Sequence, residues 1–187
     1  DPSPAAAAVP AATTPTAVVT EPASSYMISN SRLWWHHFTA LNCDPDQQTK
    51  SFRDAIRRRA PQGSTIRTIF SKDSQASNCV STVRSNLAAT SANVFWTTDS
   101  ALVFMPISET VDNPIVLSTT IKGATELAVS GNNVFALNAS GLWRISPVAN
   151  AFTVTPLRTA AQVGTNPREL RVDGYHVFWI ANGQAKR

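Results

Sequence analysis

Short apolar segments alternate with polar turns along most of the chain, and four stretches follow one template. Each has a short apolar strand, a polar turn of two to four residues, and a second strand with an aromatic centre. The four copies occupy residues 27–35, 87–96, 127–136 and 170–179. Helical periodicity is almost absent, so the pattern predicts an all-β protein.

The spacing of the copies predicts the architecture. The equivalent positions Leu33, Val94, Val134 and Val177 are separated by 61, 40 and 43 residues. The two shorter intervals match one β-propeller blade of four strands. The third unit predicts strands at 126–129, 134–138, 142–146 and 152–157, and the second unit completes its blade with 101–107 and 115–119. We therefore expect a partial propeller of about three and a half four-stranded blades.

The longest interval predicts an insertion at residues 36–63, between the second and third strands of the first blade. Within it, Phe52 and Ile56 are four residues apart, which favours a short helix near 48–59. Long loops on rigid scaffolds often carry function. The helix would have a basic side for an anionic polymer, phosphate or acidic protein, formed by Arg53, Arg57, Arg58 and Arg59. A solvated helix face is the alternative.

The N-terminal residues have a different composition. Residues 1–15 are almost entirely Ala, Pro and Thr, which predicts an extended leader before a propeller region at 16–187. The apolar stretch 16–20 stands where a ring-closing outer strand would begin the chain. A continuation of the leader is the alternative interpretation.

The second copy of the template also resembles a known signature. Val94-Phe95-Trp96-Thr97-Thr98-Asp99 is similar to the repeat of six-bladed propellers of the YWTD, NHL and TolB-like kind, and residues 177–180 resemble it as well. The resemblance implies six blades when the ring is complete. It implies no single activity, because propellers include receptors, lyases, lactonases and scaffolds.

Charge and cysteine content limit the classes of partner. The net charge of +4 is too small to indicate nucleic acid, and no stretch reaches the roughly 20 apolar residues of a membrane span. Cys43 and Cys79 suit one disulfide of a secreted protein, with two buried free thiols as the alternative. We expect no metal site and no cofactor, because the sequence lacks the corresponding motifs.

The disulfide conflicts with the predicted blade. Cys79 falls near the start of the outer strand, at the far end from the insertion that contains Cys43. Bridged Cα atoms must lie within about 7 Å. Either the insertion folds over the outer edge of the blade, or the outer two strands are misplaced.

In a propeller, the starts of the innermost strands surround the mouth of the central channel. The residues at these positions are Tyr26, Asn86, Glu126 and Glu169. They are candidates to bind a cation, a sugar or a basic peptide, or to act as acid and base. The alternative is that they satisfy backbone groups of the inner strands. The five tryptophans are expected in the cores between blades.

These observations favour a secreted binding or scaffold module. An open arc of blades would expose apolar sheet faces, so we expect a C-terminal remainder of the same precursor to complete the ring. Lys186 and Arg187 would mark a proteolytic nick between the two parts. The alternatives are part of a hydrolase or lyase that uses Glu126 and Glu169 at the channel mouth, and a regulatory fragment of a secreted protease.

Overall fold

The computed structural model describes residues 25–187 except 30–31, 60–64, 108–113, 150 and 175. The predicted leader at 1–15 and the predicted closing strand at 16–20 lie outside the described residues. Most of the described chain is β-strand, which confirms the all-β prediction.

The described strands form four small antiparallel sheets, each with its strands in chain order. The first sheet contains β1 (Ser25–Ser29), β2 (Arg32–Asn42), β3 (Lys50–Arg59) and β4 (Ile66–Ala76). The second contains β5 (Ala88–Ala89), β6 (Asn93–Thr97), β7 (Leu102–Pro106) and β8 (Ile115–Ser118). The third contains β9 (Glu126–Ser130), β10 (Asn133–Asn138), β11 (Gly141–Val148) and β12 (Ala151–Thr159). After the short helix α1 (Ala160–Val163), the fourth contains β13 (Arg168–Val172), β14 (Val177–Ala181) and β15 (Gln184–Lys186).

Tight turns in the third sheet follow from the turn residues in the sequence. Gly131 has a φ of 57° between β9 and β10, a left-handed conformation that glycine adopts without steric cost. Between β10 and β11, the Asn138 side chain accepts hydrogen bonds from the backbone N–H groups of Ser140 and Gly141. This side-chain cap fixes the turn and therefore the register of the hairpin.

Successive sheets pack face to face through alternate residues of their central strands. In β6, Val94 and Trp96 pack in the core shared with the first sheet, whereas Phe95 packs in the core shared with the third. Adjacent residues of a strand point to opposite faces, so a strand buried on both sides reads as a continuous apolar run. β10 repeats the pattern toward the second and fourth sheets.

Four of the five tryptophans lie in these cores, as the sequence predicts. Trp34 and Trp96 contribute to the core between the first and second sheets, and Trp143 and Trp179 belong to the two later cores. All five tryptophans, including Trp35, are buried. They are therefore not available as an exposed sugar-stacking set.

The first sheet corrects the sequence analysis. The helix predicted near 48–59 is wrong, because Lys50–Arg59 is the strand β3. A spacing of four residues is a multiple of the strand period as well as one helical turn, so Phe52 and Ile56 also share one face of a strand. In the described residues, the segment predicted as an insertion consists largely of β2 and β3, which form a long hairpin.

The first strands of the sheets lie close to one another. Residues of β1, β5 and β9 together line a groove of about 210 Å³, and β9 also contacts β13. The described chain therefore consists of antiparallel sheets that stack face to face, and their first strands lie close together.

Candidate functional site

One end of the stacked sheets collects the connections that could contact a ligand. It carries the turns between second and third strands and the linkers between sheets, and we call it the turn face. Its described segments are 43–49, 77–87, 98–101, 119–125, 139–140, 160–167 and 182–183. Loops held by rigid sheets are the usual location of binding residues.

Asn86, a predicted channel-mouth residue, connects two sheets. Its Nδ2 donates to the carbonyl oxygen of Leu127 at 2.8 Å, and its Oδ1 accepts from the Leu127 N–H at 2.7 Å. Both backbone groups of one β9 residue are thereby satisfied by a side chain from the linker that leads into the second sheet. This is the backbone-pairing role that the sequence left as the alternative.

The other predicted channel-mouth residues have different surroundings. Tyr26 lies in β1 on the same face as Trp35, away from the second sheet, and is 76% exposed. Glu126 is the first residue of β9. Glu169 lies in β13 at a φ of 57°, with its Oε1 3.9 Å from Arg168 Nε.

The four predicted basic residues do not form one basic surface. Arg58 is buried, and its guanidinium lies 5.4 Å from the centre of the Trp34 ring, on the face toward the second sheet. Strand alternation places Arg53, Arg57 and Arg59 on the opposite face. The expectation of a single basic side fails because it assumed a helix.

Arg53 is neutralised by a two-pronged ion pair with Asp73. The distances are 2.6 Å from Nε to Oδ1 and 2.9 Å from Nη2 to Oδ2. The pair raises the pKa of Arg53 and lowers the pKa of Asp73 through hydrogen bonding. An exposed pair of this kind offers little net charge to an anionic ligand.

The predicted disulfide is confirmed and resolves the conflict over the first blade. Cys43 and Cys79 are bridged, with Cα atoms 5.7 Å apart. Cys79 lies in the linker after β4 rather than at the start of the outer strand, so the predicted placement of the outer strands is wrong. The bridge joins the β2–β3 turn to the linker between the first and second sheets, both on the turn face.

A buried polar cluster next to the disulfide was not predicted. The Asp54 carboxylate, on β3, is 2.8 Å from His36 Nε2 and accepts a hydrogen bond of 2.6 Å from Ser81 Oγ. It also accepts from the backbone N–H and the hydroxyl of Thr82, at 2.9 and 2.8 Å. Asp54 and His36 are almost fully buried. The sequence signal is a carboxylate at an inward position between Phe52 and Ile56.

The cluster holds its carboxylate in the ionised form. Burial acts to raise the pKa of Asp54, but the hydrogen bonds from His36, Ser81 and Thr82 outweigh it and lower the pKa to about 2. Ser81 and His36 both bind Asp54, whereas a nucleophilic triad needs the histidine between serine and carboxylate. The arrangement anchors the linker to β3 and is not suited to nucleophilic catalysis.

Among the described residues, clefts of two kinds open on the turn face. One, of about 250 Å³, lies between the first and second sheets. The other is a shallower depression of about 430 Å³ lined by linkers and the β10–β11 turn, with Thr125, Asn138, Ser140 and Asn166 among its polar residues. Concave sites with a few converging polar groups are the usual places for small ligands.

Among the described residues, no cluster of three or more His, Cys, Asp or Glu side chains is placed to hold a metal ion. In the same part of the chain, no helix has the length and apolar character needed to cross a membrane. Lys186 ends β15 and Arg187 follows it, so the predicted processing residues lie at the edge of the fourth sheet.

Comparison with known proteins shows no family for the chain, because no protein-family model and no curated protein matches it.

Proposed function

We propose that this chain is part of a secreted six-bladed β-propeller that acts as a binding or scaffold module, with the turn face as its contact surface. The observation that carries the proposal is the repeated face-to-face packing of four-stranded sheets whose first strands lie together. Propeller blades pack in this way around a central channel. The disulfide suits an oxidising compartment.

Exposed apolar residues support completion of the ring by further sequence. Tyr26 and Ile28 are 76% and 78% exposed on the face of the first sheet that points away from the second. Phe178 is exposed on the far side of the fourth sheet. Additional blades, from a C-terminal remainder of the same precursor, would cover both faces. Arg57 and Arg59 would then lie at a blade interface, which leaves the turn face for ligands.

An anionic polymer is the proposed ligand of the turn face. The net charge of +4 does not by itself select an anionic partner, and the positive charge that the proposal uses is that of Lys72 in the cleft between the first and second sheets. The clefts offer side-chain hydroxyl and amide groups to a polar chain, from residues such as Thr125 and Ser140. Polar recognition at loops held by sheets is consistent with a binding module.

A glycan array tests this proposal with two matched variants of the intact protein. Ser140→Trp places a bulky group in the β10–β11 turn on the turn face, and Asn132→Trp places the same group in the β9–β10 turn at the opposite end. We expect the wild type to bind acidic glycans, with binding lost in Ser140→Trp and kept in Asn132→Trp. The reverse pattern would reject the turn face, and no glycan binding by the wild type would reject the proposed ligand.

A further inference from the structure

The cleft between the first and second sheets has the features of a built small-molecule site. Its volume is about 250 Å³, slightly below the ~300–1,000 Å³ of typical ligand pockets. Its apolar side is formed by residues of both sheets: Phe70, Trp96, Val103 and Val116. Its polar side includes Lys72, Thr82, Thr98, Asp99 and Ser100. A cleft of this volume can hold one ring of a ligand and is too small for several rings.

The polar wall is held rigidly from behind. Thr82 is fixed by two hydrogen bonds to the buried Asp54 carboxylate, and the next residue, Val83, forms a β-bridge with Thr98. Arg84 then forms a two-pronged ion pair with Asp99, including a contact of 2.8 Å between Nη2 and Oδ2. A wall whose side chains are already ordered loses little entropy when a ligand binds.

The hydrogen-bonding state of the wall selects the ligand chemistry. The Thr82 hydroxyl already donates to Asp54, and the Thr98 hydroxyl donates to the carbonyl oxygen of Ala101. The Thr98 hydroxyl also accepts from the backbone N–H groups of Ser100 and Ala101, so its hydrogen-bonding capacity is used. The Thr82 hydroxyl oxygen can still accept, and the Asp99 carboxylate has further lone pairs beyond those used by Arg84. Acceptors on one wall favour a ligand that carries hydroxyl groups.

Lys72 adds a requirement for negative charge. Lys72 lines the cleft from β4, and a lysine ammonium group can donate three hydrogen bonds. Across β3 and β4 its partner position is Asp54, whose carboxylate is already occupied by His36, Ser81 and Thr82. The negative charge of Asp99 is balanced by Arg84, and the ionised Asp54 carboxylate lies behind the wall with its own hydrogen-bond donors, so Lys72 is the cation that lines the cleft.

We propose that this cleft binds a sugar acid, a hydroxylated carboxylate of the uronic acid class. Its carboxylate would bind Lys72, its hydroxyl groups would donate to Thr82 and Asp99, and the C–H face of its ring would pack on the apolar side near Phe70. The inference rests on the proposed function, because a uronic acid unit of an anionic polysaccharide is the corresponding ligand of the turn face.

Calorimetric titration of the intact protein tests the site with three probes: D-glucuronate, D-glucose and acetate. Glucuronate has both required features, glucose lacks the carboxylate and acetate lacks the hydroxyl groups. We expect glucuronate to bind at least about tenfold more tightly than either of the others. Glucose cannot form the charge-assisted hydrogen bond to Lys72, and acetate cannot form the hydrogen bonds of the hydroxyl groups.

Two lysines provide matched variants. Lys72→Met should weaken glucuronate binding about tenfold and leave glucose binding unchanged. Lys186→Met, which removes a lysine at the end of β15, outside the turn face, should change neither. Circular dichroism confirms that both variants fold.

Equal weakening by the two lysine variants, or no glucuronate binding by the wild type, would overturn the inference. If glucuronate does not bind but the array still shows acidic-glycan binding that Ser140→Trp removes, the proposed function stands and the sugar acid site does not. If neither assay shows binding, both proposals fail.

Discussion

At the scale of single residues, the decisive feature is a buried carboxylate that organises its neighbours. Asp54 is 1% exposed and receives hydrogen bonds from an adjacent strand and from the linker that leads to the second sheet. A buried charge contributes favourably when its partners satisfy it, and leaving those partners unsatisfied is costly. The cluster therefore has a measurable effect on stability.

Replacing Asp54 by Asn should destabilise the protein at pH 7 by about 2–3 kcal/mol. The amide keeps the shape, but it loses the charge and presents an N–H group to donors of the cluster. Urea denaturation followed by tryptophan fluorescence measures the change. Asp46→Asn, at an exposed position of the β2–β3 turn, is the control and should change stability by less than about 0.5 kcal/mol.

The same substitution should change how stability depends on pH. The pKa of Asp54 is lowered to about 2 in the folded protein, from an ordinary value of 3.8. Because the pKa of Asp54 is lower in the folded than in the unfolded protein, the ionised carboxylate stabilises the fold above about pH 4. This stabilisation is lost as the pH falls toward 2. The wild type should lose about 2 kcal/mol more than Asp54→Asn across this interval. Parallel pH profiles of the two proteins would contradict the ionised state of Asp54.

At the scale of elements, the linker between the first and second sheets is held at three points within six residues. Cys79 is bridged to the β2–β3 turn, Ser81 and Thr82 bind β3, and Arg84 pairs with the β6–β7 turn. The first two tie the linker to the first sheet, and the third ties it to the second. The linker therefore transmits the position of one sheet to the other and forms the wall of the cleft.

Removing the disulfide should lower stability and loosen the linker. The double variant Cys43→Ser/Cys79→Ser leaves no reactive thiol and should cost about 2–4 kcal/mol, because the bridge closes a chain separation of 36 residues. Urea denaturation measures the loss. Hydrogen exchange should increase in residues 77–84, while β9 and β10 keep their protection. Unchanged exchange in the linker would show that the Asp54 cluster holds it without the disulfide.

The elements also show which parts of the fold the sequence could predict. The strands of the second, third and fourth sheets follow from apolar runs bounded by Gly, Asn and Ser turns, such as the turn at Gly131. The first sheet was harder to predict, because β3 carries four arginines and an aspartate. Its apolar residues Phe52 and Ile56 fit the helical period as well as the strand period. The partners of Asp54 come from an adjacent strand and from a linker 27 residues away, and no local pattern indicates them.

At the scale of the whole molecule, the question is how successive sheets are arranged. Each sheet between two others is buried on both faces, and the first strands of neighbouring sheets share a groove. Face-to-face sheets lie about 10 Å apart. A straight stack and a ring both satisfy this local spacing, but they place the first and fourth sheets at different distances.

Spin-label distances in the complete protein distinguish the two arrangements. Pairs of labels at Ile28 and Ser130 span the first and third sheets, and pairs at Ile28 and Arg171 span the first and fourth. In a regular six-bladed ring the second distance should be about 1.2 times the first, and in a straight stack about 1.5 times. The native cysteines are bridged, so introduced cysteines carry the labels. We expect the smaller ratio, because first strands that line a common groove curve around an axis; the larger ratio would contradict the propeller.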